Sequence, residues 1–193
     1  FAGTPEPSAK LLQSLVKNNN INIVGVITKP DIAKNRGKKI QQSQVSFAAS
    51  EVNLPIYKPD NLNSIEFKQI LLQLDFDFLI VAAYGKIIPD WMLESPKIMS
   101  INVHYSLLPK YRGASPIQSC LLNGDKKTGI TFIKMSNKLD EGECIQKYEI
   151  EVHPDHNKIT LEDELCNLAI ENIYSVLCDI TQKNFTLLKQ DNN

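Results

Sequence analysis

"DFLIVAAYG" occupies residues 77–85 and "IMSINVH" occupies 98–104. Side chains of an extended chain alternate between two faces, so a run apolar at nearly every position needs cover on both sides. The first run therefore reads as an interior strand ending at Gly85; the second, apolar at Met99, Ile101 and Val103, reads as a further buried strand ending at His104. "INIVGVIT" at 21–28 is of the same kind. Helical patterns lie between these runs. In "FAGTPEPSAKLLQSLVKN", Ala9, Leu12, Leu15 and Val16 share one helical face, with Thr4 or Ser8 as the expected cap. A second helix is expected around Ser43 to Val52. "LPIYKP" reads as a short extended piece, and "SIEFKQILLQL" as a helix capped at Ser64.

Downstream, "SPIQSCLLNG" reads as a helix ending at Gly124. "GITFIKMS" at 129–136 and "ECIQKYEIEV" at 143–152 read as strands. "TLEDELCNLAIENIYSVLCDI" at 160–180 is a long helix, with Thr160 and Asp163 resembling a capping box. "NFTLLKQ" is a last strand or an extended tail. Strands alternating with helices, with the early strands apolar on both faces, predict an α/β chain. The expected architecture is a Rossmann-like open, mostly parallel sheet with helices on both faces.

The 193 residues suit one domain, with 42 % hydrophobic and 22 % charged residues as in ordinary globular chains. A net charge of −1 gives no bulk reason to expect a polyanion partner, so any nucleic-acid contact must come from a local patch. Cys120, Cys144, Cys166 and Cys178 form no CxxC pair and sit among apolar neighbours, which points to a reducing compartment. No apolar run approaches the roughly 20 residues of a membrane helix, and no signal-peptide pattern is visible. "FAGTPEPS" reads as a strand already under way, which implies residues ahead of Phe1.

Open parallel sheets place their chemistry beyond the carboxyl ends of the strands. Here those ends offer "GTPEPS", "AYGKIIP", "NVHYSLLP" and "SNKLDEG". "GTP" fits neither a P-loop nor a dinucleotide fingerprint and reads as a tight strand-to-helix turn. His153 and His156, in "HPDH", lack a third metal ligand at suitable spacing and read as a solvated loop. No metal site is expected. His104 ends a buried strand, and Asn102, two residues earlier, points to the same side. If the turn carrying Asp140 folds toward His104, its carboxylate orients the imidazole, and Asn102 can donate to a developing oxyanion. A base, its charge partner and an oxyanion donor suit attack of an amine on a carbonyl, with no Ser or Cys nucleophile.

Asn102-x-His104, "SLLP" at 106–109 and the downstream Asp140 resemble the motif of the 10-formyltetrahydrofolate-dependent formyltransferase family. "FAGTPE", "AYGKIIP", "NVHYSLLPKYRGASPIQ" and "ITFIKMSNKLDEGE" follow in the family's order, so the likeness covers nearly the whole chain. It implies the formyltransferase fold, a 10-formyltetrahydrofolate co-substrate and no metal. It also implies Asn102, His104 and Asp140 as catalytic residues. The implied folate pocket includes Tyr84, Gly85, Ile87, Ile88, Ser106, Leu107, Leu108 and Pro109.

Within the family, "FAGTPEPSAKLLQSL" and "KPDIAKNRGKKIQQSQV" resemble the branch that formylates initiator methionyl-tRNA. That implies an enzyme of translation initiation, working as a monomer in a bacterial cytoplasm or an organellar matrix. Arg36, Lys38 and Lys39 match the element of that branch that binds tRNA. Lys29, Lys34, Arg36, Lys38 and Lys39 face one Asp within this stretch, the local charge that phosphate contacts need. Two other readings stand beside it. One is a folate-dependent formyltransferase for a small amine, such as glycinamide ribonucleotide or an aminosugar nucleotide. The other is a non-catalytic tRNA- or folate-binding domain. Tyr105 and Ser115 depart from the family pattern, and Tyr105 is expected at the rim of the site. Residues 1–193 correspond to the catalytic domain; the full enzyme carries a further, barrel-like C-terminal domain for tRNA.

Overall fold

The computed structural model describes residues 1–34 and 39–191. Its main sheet has seven strands in the order β5-β2-β1-β6-β7-β8-β9. They are β1 (Ala2–Gly3), β2 (Val26–Ile27), β5 (Ile56–Tyr57), β6 (Phe78–Ala82), β7 (Met99–His104), β8 (Lys127–Lys134) and β9 (Cys144–Glu151). From β5 to β7 the neighbours pair parallel; β8 and β9 close that side of the sheet antiparallel. The chain order reverses about β1, with β2 on one side and β6 on the other. The α/β, mostly parallel architecture predicted from the sequence is present.

The alternation along β6 and β7 sorts the core into two layers. Ile80, Ala82, Ile101 and Val103 face a cluster that takes in Leu11, Leu12 and Leu15 of α1 (Glu6–Val16), Val45 and Ala48 of α2 (Gln44–Glu51), Ile117 of α5 (Pro116–Leu122) and Leu161, Leu165 and Ile173 of α6 (Lys158–Thr181). Leu79 and Val81 face the opposite cluster, with Phe67 and Leu71 of α3 (Ile65–Gln73) and Met92 of α4 (Asp90–Leu93). Helices thus cover both faces, as the doubly apolar strands require.

Four local expectations are revised. The strand expected over 21–28 shrinks to Val26–Ile27, and Ile21 and Ile23 pack on the core from irregular chain. The lysine-rich stretch, which shows no strand pattern in sequence, contributes two short strands that pair antiparallel, β3 (Ile32–Lys34) and β4 (Lys39–Gln41). Helix α1 starts after Pro5 without a side-chain cap. Thr4 Oγ1 instead donates to Tyr84 O (2.9 Å) and Ser8 Oγ to Ala82 O (2.6 Å), which binds the helix start to the end of β6. Helix α6 begins earlier than expected: Asn157 is the N-cap and Thr160 closes the capping box, a role assigned above to Thr160 with Asp163. The predicted Ser64 cap is present, accepting from Phe67 N. α4 was not foreseen, since four residues are too few for a helical period to show.

Phe1 N donates to Gly25 O at 2.9 Å beside a groove of about 520 Å³. After α6, the "NFTLLKQ" segment makes one antiparallel bridge, with Cys144 N donating to Leu188 O (2.8 Å) and Leu188 N to Cys144 O (2.9 Å).

Candidate active site

β7 is apolar on one face and polar on the other. Its apolar side chains enter the α1/α6 core; Ser100, Asn102 and His104 point to the opposite face. There Asn102 is paired in register with Val81 of β6 and Ile133 of β8. The face is covered by α3 and α4 over β6, and by an apolar cluster of Leu108, Ile133 and Cys144 on the other side. The polar pair is a strip between two apolar clusters.

The connection after β8 doubles back, with Met135 N donating to Ser100 O (2.9 Å). It carries Asp140 onto this strip. Asn102 Nδ2 donates to Asp140 Oδ1 at 3.2 Å, and His104 Nδ1 lies 3.6 Å from Asp140 Oδ2. Both side chains are nearly closed off, with 7 % of His104 and 10 % of Asp140 exposed. The three residues expected to carry the chemistry are therefore brought together, although 38 positions separate Asn102 from Asp140.

The second half of the frame comes from 111–113. His104 Nε2 lies 2.9 Å from Tyr111 O, and a carbonyl can only accept, so Nε2 carries the proton. In the neutral ring this leaves Nδ1, on the Asp140 side, as the nitrogen with a lone pair free. Gly113 N donates to Asp140 Oδ2 at 2.8 Å. Tyr111 and Asp140 hold positive φ of 57° and 53°, and Gly113 holds 100°. Gly113 sits in this region without the Cβ penalty; for the other two, the surrounding contacts must hold the conformation.

Residues 110–113 carry no role of their own in the sequence reading, and these backbone contacts were missed. The Arg112-Gly113 pair was the available signal, since glycine marks a positive φ. Gln190 was missed as well. Its Nε2 donates to Asp140 O (2.7 Å) and Gly142 O (2.8 Å), and its Oε1 accepts from Arg112 Nε (2.9 Å) and Nη2 (2.8 Å). Nothing in the sequence near residue 190 announces that role.

The expected folate residues fall in two groups on either side of the strip. Tyr84 and Ile88 are buried in the α3/α4 cluster, while Ile87 is 87 % exposed. Burial pushes the Tyr84 hydroxyl up to about 12, and that hydroxyl has no hydrogen-bond partner among the described residues. Gly85, at φ 75°, lies against Lys29 Nζ. In the second group, Ser106 and Leu108 are fully buried, Leu107 is half-buried and Pro109 is exposed. Ser106 Oγ donates to Lys110 O (2.6 Å), and Thr131 Oγ1 donates to Ser106 O (2.6 Å) while accepting from Leu108 N (3.1 Å). The side chains of Ser106 and Leu108 thus hold the loop together from inside. Tyr105 packs on the other side of the sheet next to Cys166, where burial pushes its hydroxyl well above the usual range, so the expectation of a rim residue is corrected. Arg36 and Lys38 lie outside the described residues, and Lys39 falls on β4.

A family model described as "Formyl transferase" matches residues 1–177. The chain belongs to the formyl transferase family. It is 43 % identical over 191 residues to the methionyl-tRNA formyltransferase of Mycoplasmopsis pulmonis, covering 99 % of this chain and 65 % of that protein. Its fold is that of the phosphoribosylglycinamide formyltransferase of Anaplasma phagocytophilum, with a TM-score of 0.75 at 18 % identity, covering 100 % of this chain and 92 % of that one. It is also that of the N-formyltransferase of Helicobacter canadensis in complex with folinic acid and dTDP-3-aminofucose, with a TM-score of 0.72 at 20 % identity, covering 99 % and 66 %. The chain spans about three fifths of the length of the curated relatives it matches, at 65 %, 58 % and 61 % for three of them. Among the described residues of this formyl transferase chain, no cluster of His, Cys, Asp or Glu could hold a metal ion, and no helix is long and apolar enough to cross a membrane.

Proposed function

We propose that this chain carries the formyl-transfer centre of an enzyme that moves the formyl group of 10-formyltetrahydrofolate to the methionine amine of initiator methionyl-tRNA. The observation that carries the reading is the meeting of Asn102, His104 and Asp140 on one face of β7. The amine nitrogen attacks the formyl carbon and forms a tetrahedral oxyanion. The carbon–N10 bond then breaks, leaving tetrahydrofolate and a formamide. Asn102 uses one amide hydrogen on Asp140, and its Nδ2 carries a second that suits the oxyanion. His104 Nδ1 takes the proton lost by the amine, and the folate nitrogen gains one. Asp140 balances the charge that appears on the ring.

Folate is proposed to lie along the strip, between the 84–88 loop and the 106–109 loop, where apolar surface flanks the polar groups. The tRNA acceptor end is proposed to meet Arg36, Lys38 and Lys39 of the lysine-rich stretch, helped by a further, C-terminal domain. The protein acts as a monomer, in a bacterial cytoplasm or an organellar matrix. Likeness to relatives named methionyl-tRNA formyltransferase over almost this entire chain supports the tRNA acceptor over a small amine.

One assay tests the reading. Formylation of charged initiator tRNA is measured beside glycinamide ribonucleotide and an aminosugar nucleotide, with 10-formyltetrahydrofolate as donor, in this chain and in a two-domain form. Transfer to the tRNA alone is expected. Transfer only to a small amine moves the substrate class, and folate binding without transfer leaves a binding domain. Neutralising Arg36 and Lys38 should raise the KM for tRNA and flatten its salt dependence while leaving folate binding unchanged.

A further inference from the structure

We propose that Gln190 is a positioning residue for Asp140, binding the two loops around His104 into one body. A glutamine amide has two N–H donors and two acceptor lone pairs. Gln190 uses all four: two on the carbonyls of Asp140 and Gly142, two on the Arg112 guanidinium. No other side chain of this length offers that set. Glutamate lacks the donors, and lysine and arginine lack the acceptor.

The loops it joins need such a tie. Asp140 and Tyr111 sit at positive φ outside any regular ladder. Residues 111–113 supply the carbonyl on His104 Nε2, the guanidinium on Gln190 and the amide on the Asp140 carboxylate. Asp140 is thus held at its side chain by Gly113 and at its backbone by Gln190, which in turn grips the residue before Gly113. The circuit closes on itself. Arg112 Nη1 also lies 3.9 Å from Glu141 Oε1, a looser contact across the same gap. The bridge between Leu188 and Cys144 fixes the tail two residues ahead of Gln190. The segment after α6 is therefore built into the catalytic frame, and its path bears on the orientation of Asp140.

The kinetic part of this proposal rests on the formyl-transfer reading; the structural part does not. Gln190→Ala and Gln190→Glu are compared with wild type, and Lys189→Ala, an exposed neighbour, serves as control. By NMR hydrogen exchange, the Gly113 amide should lose about tenfold in protection in both Gln190 variants and none in the control. Glutamate matches glutamine in size, so a normal Gly113 amide in Gln190→Glu would reduce Gln190 to packing and overturn the proposal. In the transfer assay, Gln190→Ala should lower kcat about tenfold with the folate KM within about twofold. Combined with Asp140→Asn it should add no further loss, because it acts through Asp140. Additive losses would overturn the proposal. If wild type transfers no formyl group, the functional reading falls, and Gly113 exchange still decides on Gln190.

Discussion

In the proposed reaction His104 handles protons through Nδ1, because the Tyr111 carbonyl occupies Nε2. That assignment makes Asp140 the partner of the working nitrogen and leaves Asn102 the group with a spare amide hydrogen. Asn102→Ala should therefore cost about 3 kcal/mol of transition-state stabilisation, roughly 10²–10³ in kcat, with little change in folate KM. Steady-state kinetics checks this, and near wild-type turnover would remove Asn102 from the chemistry. Tyr105 illustrates the alternation on which the assignment depends. One residue beyond His104, it turns to the α6 side and leaves the site free.

β8 and β9 support the loops more than the chemistry. Gly129 lies on β8 where an added Cβ would fall 1.9 Å from Tyr148 O and 2.8 Å from Leu107 Cδ2. No side chain fits that approach without forcing the two strands, or the 106–109 loop, apart. Gly129→Ala should cost about 1–3 kcal/mol in urea unfolding and lower turnover through Leu107; an unchanged midpoint and rate would show that the pair yields easily. The end of α1 nearest the site behaves in a related way. Thr4 and Ser8 looked like helix caps, yet their hydroxyls donate to the carbonyls of Tyr84 and Ala82 and cap no helix amide.

Across the whole molecule, the group most strongly displaced from its ordinary titration is the Tyr105 hydroxyl, pushed up by burial beside Cys166. Above pH 10 the unfolded chain gives up this proton while the folded chain keeps it. The stability held by this group is therefore full below pH 10 and declines as pH rises above it. Urea unfolding at about pH 8.5 and about pH 10.5 measures it, and Tyr105→Phe removes the contribution by difference. Equal slopes for wild type and Tyr105→Phe would contradict the burial effect.

Much of this was legible in the residues themselves. Runs apolar on both faces forced a covered parallel sheet, and i, i+2 spacing put Asn102 and His104 on one side of β7, because both follow from local backbone geometry. Strand lengths were less legible: 21–28 carries strand residues, yet only Val26 and Ile27 pair in register, Val26 with Ile56 and Ile27 with both Ala2 and Tyr57. What the chain could not announce was the return of the 135–143 connection over that face, which brings Asp140 to His104. Nor could it announce that residues 111–113 and Gln190 would close the frame around them. The contacts of Tyr111, Gly113 and Gln190 that use backbone carbonyls and amides join positions up to 50 residues apart. Every residue but proline carries both groups, so only the folded path of the chain decides which of them meet.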